Sequence, residues 1–245
     1  MTDPHPAKFH LGVVTGLQFE ADIVRRLIRE NSGRTEGQDS MSVACLGPGP
    51  DRAGDAARSL LDGGATALLS FGVAGGCDPA LPPGAAIIAT GVRDISAGGE
   101  ALYTNRDWQR RLKSVLLGNV LVETAQIAST DKPLHKSRDK RGLFGDLGVA
   151  AVDMESAAIA RAAIEATVPY MALRVVIDPQ DLGLPLAAVS GMRPDGSTAV
   201  AAVTGSVLRR PGDLWGMIRL ARYDRIARKA LTAAAQCSAP LFASV

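Results

Sequence analysis

The stretch that decides the fold of this chain runs from residue 149 to residue 160 and reads Val-Ala-Ala-Val-Asp-Met-Glu-Ser-Ala-Ala-Ile-Ala. A short apolar run passes into Asp153-Met154-Glu155, and a segment of small residues with helical character follows at once. A second apolar run, from Tyr170 to Ile177, ends in Asp178. Ligands of open α/β sheets bind beyond the strand ends, where such acids would stand. The stretch therefore predicts a strand–helix–strand unit with two carboxylates at the exits of buried strands.

Strand-like and helical segments alternate on both sides of this unit. Apolar residues follow helical spacing from Glu20 to Arg29, directly after an apolar run at Leu11–Thr15. This alternation predicts an α/β fold, a single domain over residues 1–245 with a mixed, largely parallel central sheet flanked by helices. A loop rich in Pro and Gly is expected from Asp178 to Ser197, and a basic C-terminal helix at about 211–236.

Composition excludes several classes of protein. The net charge of +2 is too small to indicate a nucleic-acid-binding surface. No apolar run approaches the ~20 residues that a membrane-spanning helix needs, and residues 1–10 do not resemble a signal peptide. The three cysteines are widely spaced and form no CxxC pair, which favours free thiols, no metal site and a cytoplasmic location. The Gly47-Pro48-Gly49 run departs from a dinucleotide fingerprint, which argues against a nicotinamide oxidoreductase.

Four features are candidates for chemistry, and each also has a purely structural interpretation. Residues 71–76 read Phe-Gly-Val-Ala-Gly-Gly, here called the glycine segment, which can form a ligand-facing turn or a plain tight turn. Glu155 can bind a diol, or it can simply stabilise a helix N-terminus through its negative charge. The structural interpretation of Glu20 is likewise that it stabilises the start of a helix. A buried Asp178 would keep a proton near neutral pH, unless it pairs with Arg174 or caps a loop.

Taken in order, these motifs resemble those of the nucleoside phosphorylase and nucleosidase family, which contains purine nucleoside phosphorylases and methylthioadenosine nucleosidases. The resemblance covers roughly residues 11 to 178. It is carried by the first strand with Glu20, by the glycine segment, and by the Met154-Glu155 motif followed by Asp178. Within the family the chain looks most like the phosphorylases associated with hopanoid biosynthesis. The likeness is carried by the Asp-Met-Glu-Ser motif, by residues 76–81 and by the Arg-rich tail.

The resemblance implies an enzyme that cleaves the N-glycosidic bond of an adenine nucleoside. In such a site Asp178 would donate a proton to purine N7 and Glu20 would activate a water molecule. Glu155 would bind the ribose hydroxyls. The remaining substrate-binding residues implied by the resemblance are Met154, Val73, Ala74 and Gly75.

The resemblance also implies a substrate and partners. The implied substrate is adenosylhopane, an adenine nucleoside that carries a triterpene at C5′. The alternatives are a methylthioadenosine/adenosylhomocysteine-type nucleosidase, a general purine nucleoside phosphorylase, and a non-catalytic nucleoside-binding protein of the same fold. No cofactor is expected, and phosphate or water is left open as the nucleophile. A homo-oligomer is expected. The basic C-terminal helix has two interpretations: it packs on the core with a solvated basic face, or it makes peripheral contact with the inner membrane, where a lipid-linked nucleoside would be found.

Overall fold

Strands and helices alternate through the chain in a computed structural model, which describes residues 9–31, 40–183 and 214–241. The strands are β1 (His10–Val14), β2 (Ser40–Ala44), β3 (Ala67–Gly76), β4 (Ala86–Asp94), β5 (Ala101–Tyr103), β6 (Val122–Ser129), β7 (Ala151–Asp153) and β8 (Tyr170–Asp178). The helices are α1 (Gln18–Asn31), α2 (Pro50–Asp62), α3 (Arg106–Leu116), α4 (Ser137–Leu147), α5 (Ser156–Glu165) and α6 (Leu214–Ser238).

The strands form one eight-stranded mixed sheet, which confirms the predicted fold class. The sheet runs in the order β2-β1-β3-β7-β6-β4-β5, and β8 pairs with both β3 and β4. The parallel strand pairs are β1–β2, β1–β3, β3–β8, β4–β6 and β6–β7. The antiparallel strand pairs are β3–β7, β4–β5 and β4–β8. The pairings β3–β8–β4–β6–β7 lead back to β3, so this part of the sheet closes on itself.

Helices cover both faces of the sheet, because successive strand residues point to opposite sides. In β3, Leu68 packs into a core with residues of α2 and α5. Its neighbours Leu69 and Phe71 pack into a second core with residues of α1, α3 and α6. The chain is therefore a three-layer α/β domain, and the long strand β3 is buried on both faces.

Two elements, β5 and α3, lie outside the predicted alternation. The signal for α3 is local: the side chain of Asn105 accepts from the backbone N–H groups of Asp107 and Trp108, and Trp108, Leu112 and Leu116 are buried at intervals of four residues.

The part of the C-terminal helix α6 that the structure describes runs from Leu214 to Ser238. Residues 184–213, which include most of the predicted loop and the predicted start of this helix, lie outside the described residues. Over the described segments, no helix is long and apolar enough to cross a membrane.

Candidate active site

Three strands meet at Gly75. This residue of β3 pairs with Val152 of β7 on one side and with Asp178 of β8 on the other. The register between β3 and β8 shifts between Ala74 and Gly75, an irregularity that re-aims the end of β8. Two of the acid-bearing strand ends predicted from sequence therefore lie beside the glycine segment.

The glycine segment is strand, and the predicted turn after Phe71 is wrong. Residues 72–76 continue β3 and pair with β7 and β8. Gly72 is needed for close packing instead: a Cβ there would lie 2.5 Å from Glu20 Oε1 and 2.7 Å from Arg174 Nη1. Because Gly72 has no side chain, the buried Glu20 carboxylate and the buried Arg174 guanidinium can lie directly against the β3 backbone at this point.

Glu20 lies in the first turn of α1 and is buried. Its Oε2 accepts the backbone N–H groups of Gly16 at 3.1 Å and Leu17 at 2.9 Å, and its Oε1 accepts that of Val73 at 2.8 Å. Burial raises the pKa of Glu20 to about 7, although the Arg174 charge and these N–H groups lower it. A carboxyl with a pKa near neutrality is suited to take a proton from water at physiological pH.

Glu155 lies at the entry to α5 and is buried close to the loops that follow β1 and β2. Its Oε1 accepts the N–H of Gly49 at 3.1 Å, and a Cβ on Gly16 would lie 2.9 Å from that oxygen. Burial raises the pKa of Glu155, and the charge of Arg174 opposes that rise. Met154, beside it, is half-buried, and its N–H donates to Glu155 Oε2 at 3.4 Å.

Arg174 links these acids and was not predicted as a site residue. Its Nε lies 2.7 Å from Asp153 Oδ2, while its Nη2 lies 3.5 Å from Glu155 Oε2 and donates to Ser70 Oγ at 2.6 Å. The alternative that Arg174 pairs with Asp178 is wrong. Four residues of extended strand separate the two Cα atoms by roughly 13 Å, and the guanidinium faces the other acids.

Asp153 orients the Met154-Glu155 turn. Its Oδ1 accepts the N–H groups of Glu155 at 3.3 Å and Ser156 at 3.2 Å, and its Oδ2 accepts the Ser156 hydroxyl. The sequence signal is an Asp three residues before a Ser at a helix start, a side-chain pattern typical of helix N-termini.

Asp178 is buried at the end of β8, and its ionic partner is Lys140 of α4. The ammonium group contacts Asp178 Oδ2. Burial raises the pKa of Asp178 to about 6, while the charge of Lys140 lowers it. In sequence, Lys140 is one of several basic residues in a short helical segment, and no local feature separates it from its exposed neighbours.

The buried acids form two groups along β3. Glu20 and Glu155 share Arg174 opposite Gly72, whereas Asp178 lies opposite Gly75. Three residues of strand separate the two positions by about 10 Å. The predicted acids therefore do not form one tight cluster.

The residues predicted to bind the base and the nucleophile lie between these groups. Val73 is half-buried, and its backbone N–H donates a hydrogen bond to Glu20 Oε1. Ala74 is buried and Gly75 adjoins Asp178. The loop after β6 lies nearby, because the N–H of Thr130 donates to the carbonyl of Asp153 at 2.9 Å.

The fold and the buried acids together define an α/β protein with buried carboxylates placed along one strand of a mixed sheet. A family model described as "Phosphorylase superfamily" matches residues 11–209, and the chain belongs to this superfamily. It is accordingly an enzyme of the nucleoside phosphorylase and nucleosidase class.

Solved structures share the fold at low sequence identity. A 5′-methylthioadenosine/S-adenosylhomocysteine nucleosidase from Neisseria meningitidis, in complex with methylthio-immucillin-A, is 19% identical with a TM-score of 0.68, covering 93% of this chain and 97% of that one. A futalosine hydrolase mutant from Helicobacter pylori is 17% identical with a TM-score of 0.67, covering 93% and 99%. A Helicobacter pylori nucleosidase mutant with 5′-methylthioadenosine in its active site is 18% identical with a TM-score of 0.65, covering 82% and 99%. Among curated proteins, none matches the chain.

Proposed function

We propose that this protein cleaves the N-glycosidic bond of an adenine nucleoside and releases adenine. The observation that supports it best is the placement of buried acids along β3: Glu20 and Glu155 around Arg174 at one position, and Asp178 about 10 Å further along. A ribose at the first position would lie against two carboxylates, and its purine would extend towards the Asp178 carboxyl, whose pKa is raised by burial to about 6.

The proposed reaction requires assistance at both ends of the bond. As the C1′–N9 bond breaks, its electron pair moves into the purine ring, and Asp178 donates its proton to N7. Glu155 binds the ribose hydroxyls, and its negative charge stabilises the positive charge that develops on the sugar. Water attacks C1′ and gives its proton to Glu20. Met154 packs on the ribose, and Val73, Ala74 and Gly75 line the floor of the site.

Water is the proposed nucleophile, and no cofactor is proposed. A phosphate needs cationic partners and N–H donors. The N–H groups of Gly16, Leu17 and Val73 already donate to Glu20, whose charge would repel an anion. Arg174 is paired with two acids, and Arg52 is exposed and donates to the carbonyl of Pro48 at 3.3 Å. These contacts support hydrolysis over phosphorolysis.

Adenine release from adenosine, 5′-methylthioadenosine and S-adenosylhomocysteine tests the proposal. We expect release to be undiminished in phosphate-free buffer, and release that requires phosphate would refute hydrolysis. Asp178→Asn should lower kcat by roughly 10²- to 10⁴-fold. The control Asp181→Asn changes an exposed acid three residues away and should leave kcat unchanged within about twofold. If wild type and Asp178→Asn both bind these nucleosides and neither cleaves them, the protein is a non-catalytic binder.

For the 5′ substituent, we propose the triterpene of adenosylhopane, on the basis of the resemblance of the motifs and tail to hopanoid-associated phosphorylases. A methylthioadenosine/adenosylhomocysteine-type nucleosidase is the second candidate, supported by the shared fold with nucleosidases whose structures contain such ligands. Comparing kcat/KM for adenine nucleosides with short and long apolar 5′ groups separates the two. A preference for the short thioether would refute the triterpene proposal.

We further propose that the enzyme is a homo-oligomer that touches anionic lipid through α6. Much of the apolar stripe of this helix, including Ala227 and Leu231, is buried against the sheet. The outer face, with Arg222, Arg225 and the exposed Ile226, is what a membrane would meet. Charge reversal by Arg222→Glu with Arg225→Glu should abolish co-sedimentation with anionic vesicles, and equal binding by wild type and variant would refute lipid contact. Light scattering in solution tests the oligomer.

A further inference from the structure

Lys140 is an unusual residue for its helix. The side chains of α4 are otherwise exposed or half-buried, yet Lys140 is 1% exposed. Burial of an ammonium group costs several kcal/mol unless hydrogen bonds and an opposite charge compensate it. The sequence motifs assign no role to this residue, so its surroundings indicate what compensates the burial.

Four acceptors surround the ammonium group. Besides the carboxylate of Asp178, Nζ donates to the carbonyls of Asp178 at 3.3 Å, Pro179 at 3.1 Å and Leu182 at 3.1 Å. Backbone carbonyls accept hydrogen bonds but have no proton to give, so each must be matched by an N–H donor of the Lys140 side chain. Lys140 thereby holds both the carboxylate and the backbone that follows β8.

The same side chain packs against the glycine segment. A Cβ on Gly75 would lie 3.4 Å from Lys140 Cε and 3.5 Å from Asp178 Oδ1. Lys140 and the Asp178 carboxyl therefore lie against the same point of the β3 backbone. Rotation of the carboxyl away from this point would break its contact with the ammonium group.

We propose that Lys140 is a positioning residue for Asp178: it holds the carboxyl against the glycine segment and sets the pH range in which that carboxyl keeps its proton. This inference rests on the proposed function, in which Asp178 protonates the leaving purine. It goes beyond that function because it assigns the control of the acid to α4, an element that carries none of the predicted site residues.

The other groups near Asp178 do not supply this control. The Cys77 thiol, after β3, is buried, which raises its pKa to about 12 and keeps it neutral. Arg174 directs its charge to Asp153, Glu155 and Glu20. Burial and Lys140 thus act in opposite directions on the pKa of Asp178, and the balance is a value of about 6.

The pH profile of kcat/KM for adenine release tests the inference. Activity needs Glu20 ionised and Asp178 protonated, with pKa values of about 7 and about 6, so the wild-type optimum should lie midway, at about pH 6.5. An opposite charge at contact distance lowers a carboxyl pKa by about 1 to 3 units. In Lys140→Met the optimum should therefore move upward by half of that, about 0.5 to 1.5 pH units.

Two variants control for other effects. Lys140→Arg keeps the charge and should keep the optimum within about 0.3 pH units, although its larger head group lowers kcat by misplacing the carboxyl. Lys113→Met removes an exposed lysine of α3 and should change neither the optimum nor kcat. If Lys140→Met does not fold, Lys140→Gln serves instead, because it keeps N–H donors for the carbonyls without the charge.

The outcomes separate the inference from the proposed function. An unmoved optimum in a folded Lys140→Met, or a folded variant inactive at every pH, would overturn the inference. Wild-type protein that releases no adenine would overturn the proposed function alone. In that case carbon NMR of the Asp178 carboxyl, titrated in wild type and Lys140→Met, measures the same shift without turnover, and equal titration curves would overturn the inference.

Discussion

Replacing Glu20 with glutamine measures the energetic cost of burying this carboxyl. The amide has nearly the same shape but does not ionise. In the folded protein burial raises the pKa of Glu20 from 4.5 to about 7. The folded state therefore holds a proton that the unfolded chain releases at lower pH. The stability that the protonated carboxyl contributes is complete below about pH 4.5 and is lost as the pH rises through 7.

The magnitude follows from the size of this shift. One pKa unit corresponds to 1.36 kcal/mol, so a rise from 4.5 to about 7 is worth about 3 kcal/mol. Wild-type protein should lose about this much between pH 4.5 and about pH 8, and Glu20→Gln should not. The amide NH₂ will face either Val73 N–H or the Gly16 and Leu17 N–H groups, at a cost of roughly 1–3 kcal/mol. That cost does not vary with pH.

Urea unfolding at fixed protein concentration, repeated across this pH range, gives the difference in unfolding free energy between variant and wild type. The difference should rise by about 3 kcal/mol in favour of the variant. Glu30→Gln, an exposed acid on the same helix, is the control and should give a flat line. A Glu20→Gln difference that changes by less than about 1 kcal/mol would refute the reasoning, because the carboxyl would then titrate at its ordinary pKa.

Two further predictions concern the packing around Glu20. Gly72→Ala should cost about 1–3 kcal/mol and lower activity, because its Cβ would meet Glu20 Oε1 and Arg174 Nη1, both buried and held by other bonds. In the control Gly142→Ala, nothing lies within 4 Å of the added Cβ, and the change should stabilise the folded protein by about 0.5–1 kcal/mol because alanine favours a helix. Equal shifts of the urea midpoint in the Gly72 and Gly142 variants would contradict the packing argument. Arg174→Met should cost about 3–5 kcal/mol because it leaves buried acids without their cation, while Arg58→Met, at an exposed ion pair, should cost under about 1 kcal/mol. Similar unfolding free energies for these two variants would show that the Arg174 network is not stabilising.

Much of the fold could be predicted because its signals are local. The apolar runs before Glu155 and Asp178 have the length and composition of buried strands, and the helical spacing of α1 is visible within a few turns. The same locality made α3 detectable in principle, through the Asn105 cap. The strand conformation of the glycine segment has no local signal, because glycine in a sequence is equally compatible with a turn and with close packing inside a strand.

The sequence by itself determined the order of the strands and helices other than β5 and α3, the class of fold, and the position of three acids near the ends of strands or the start of a helix. Only the tertiary structure decided which charges those acids meet. Arg174, the nearest base in sequence to Asp178, faces Asp153 and Glu155, whereas Lys140 comes from another helix. The reason is physical: hydrophobic periodicity acts over a few residues, but ion-pair partners and the pKa values they set depend on strand register and burial, which exist only once distant segments have packed together.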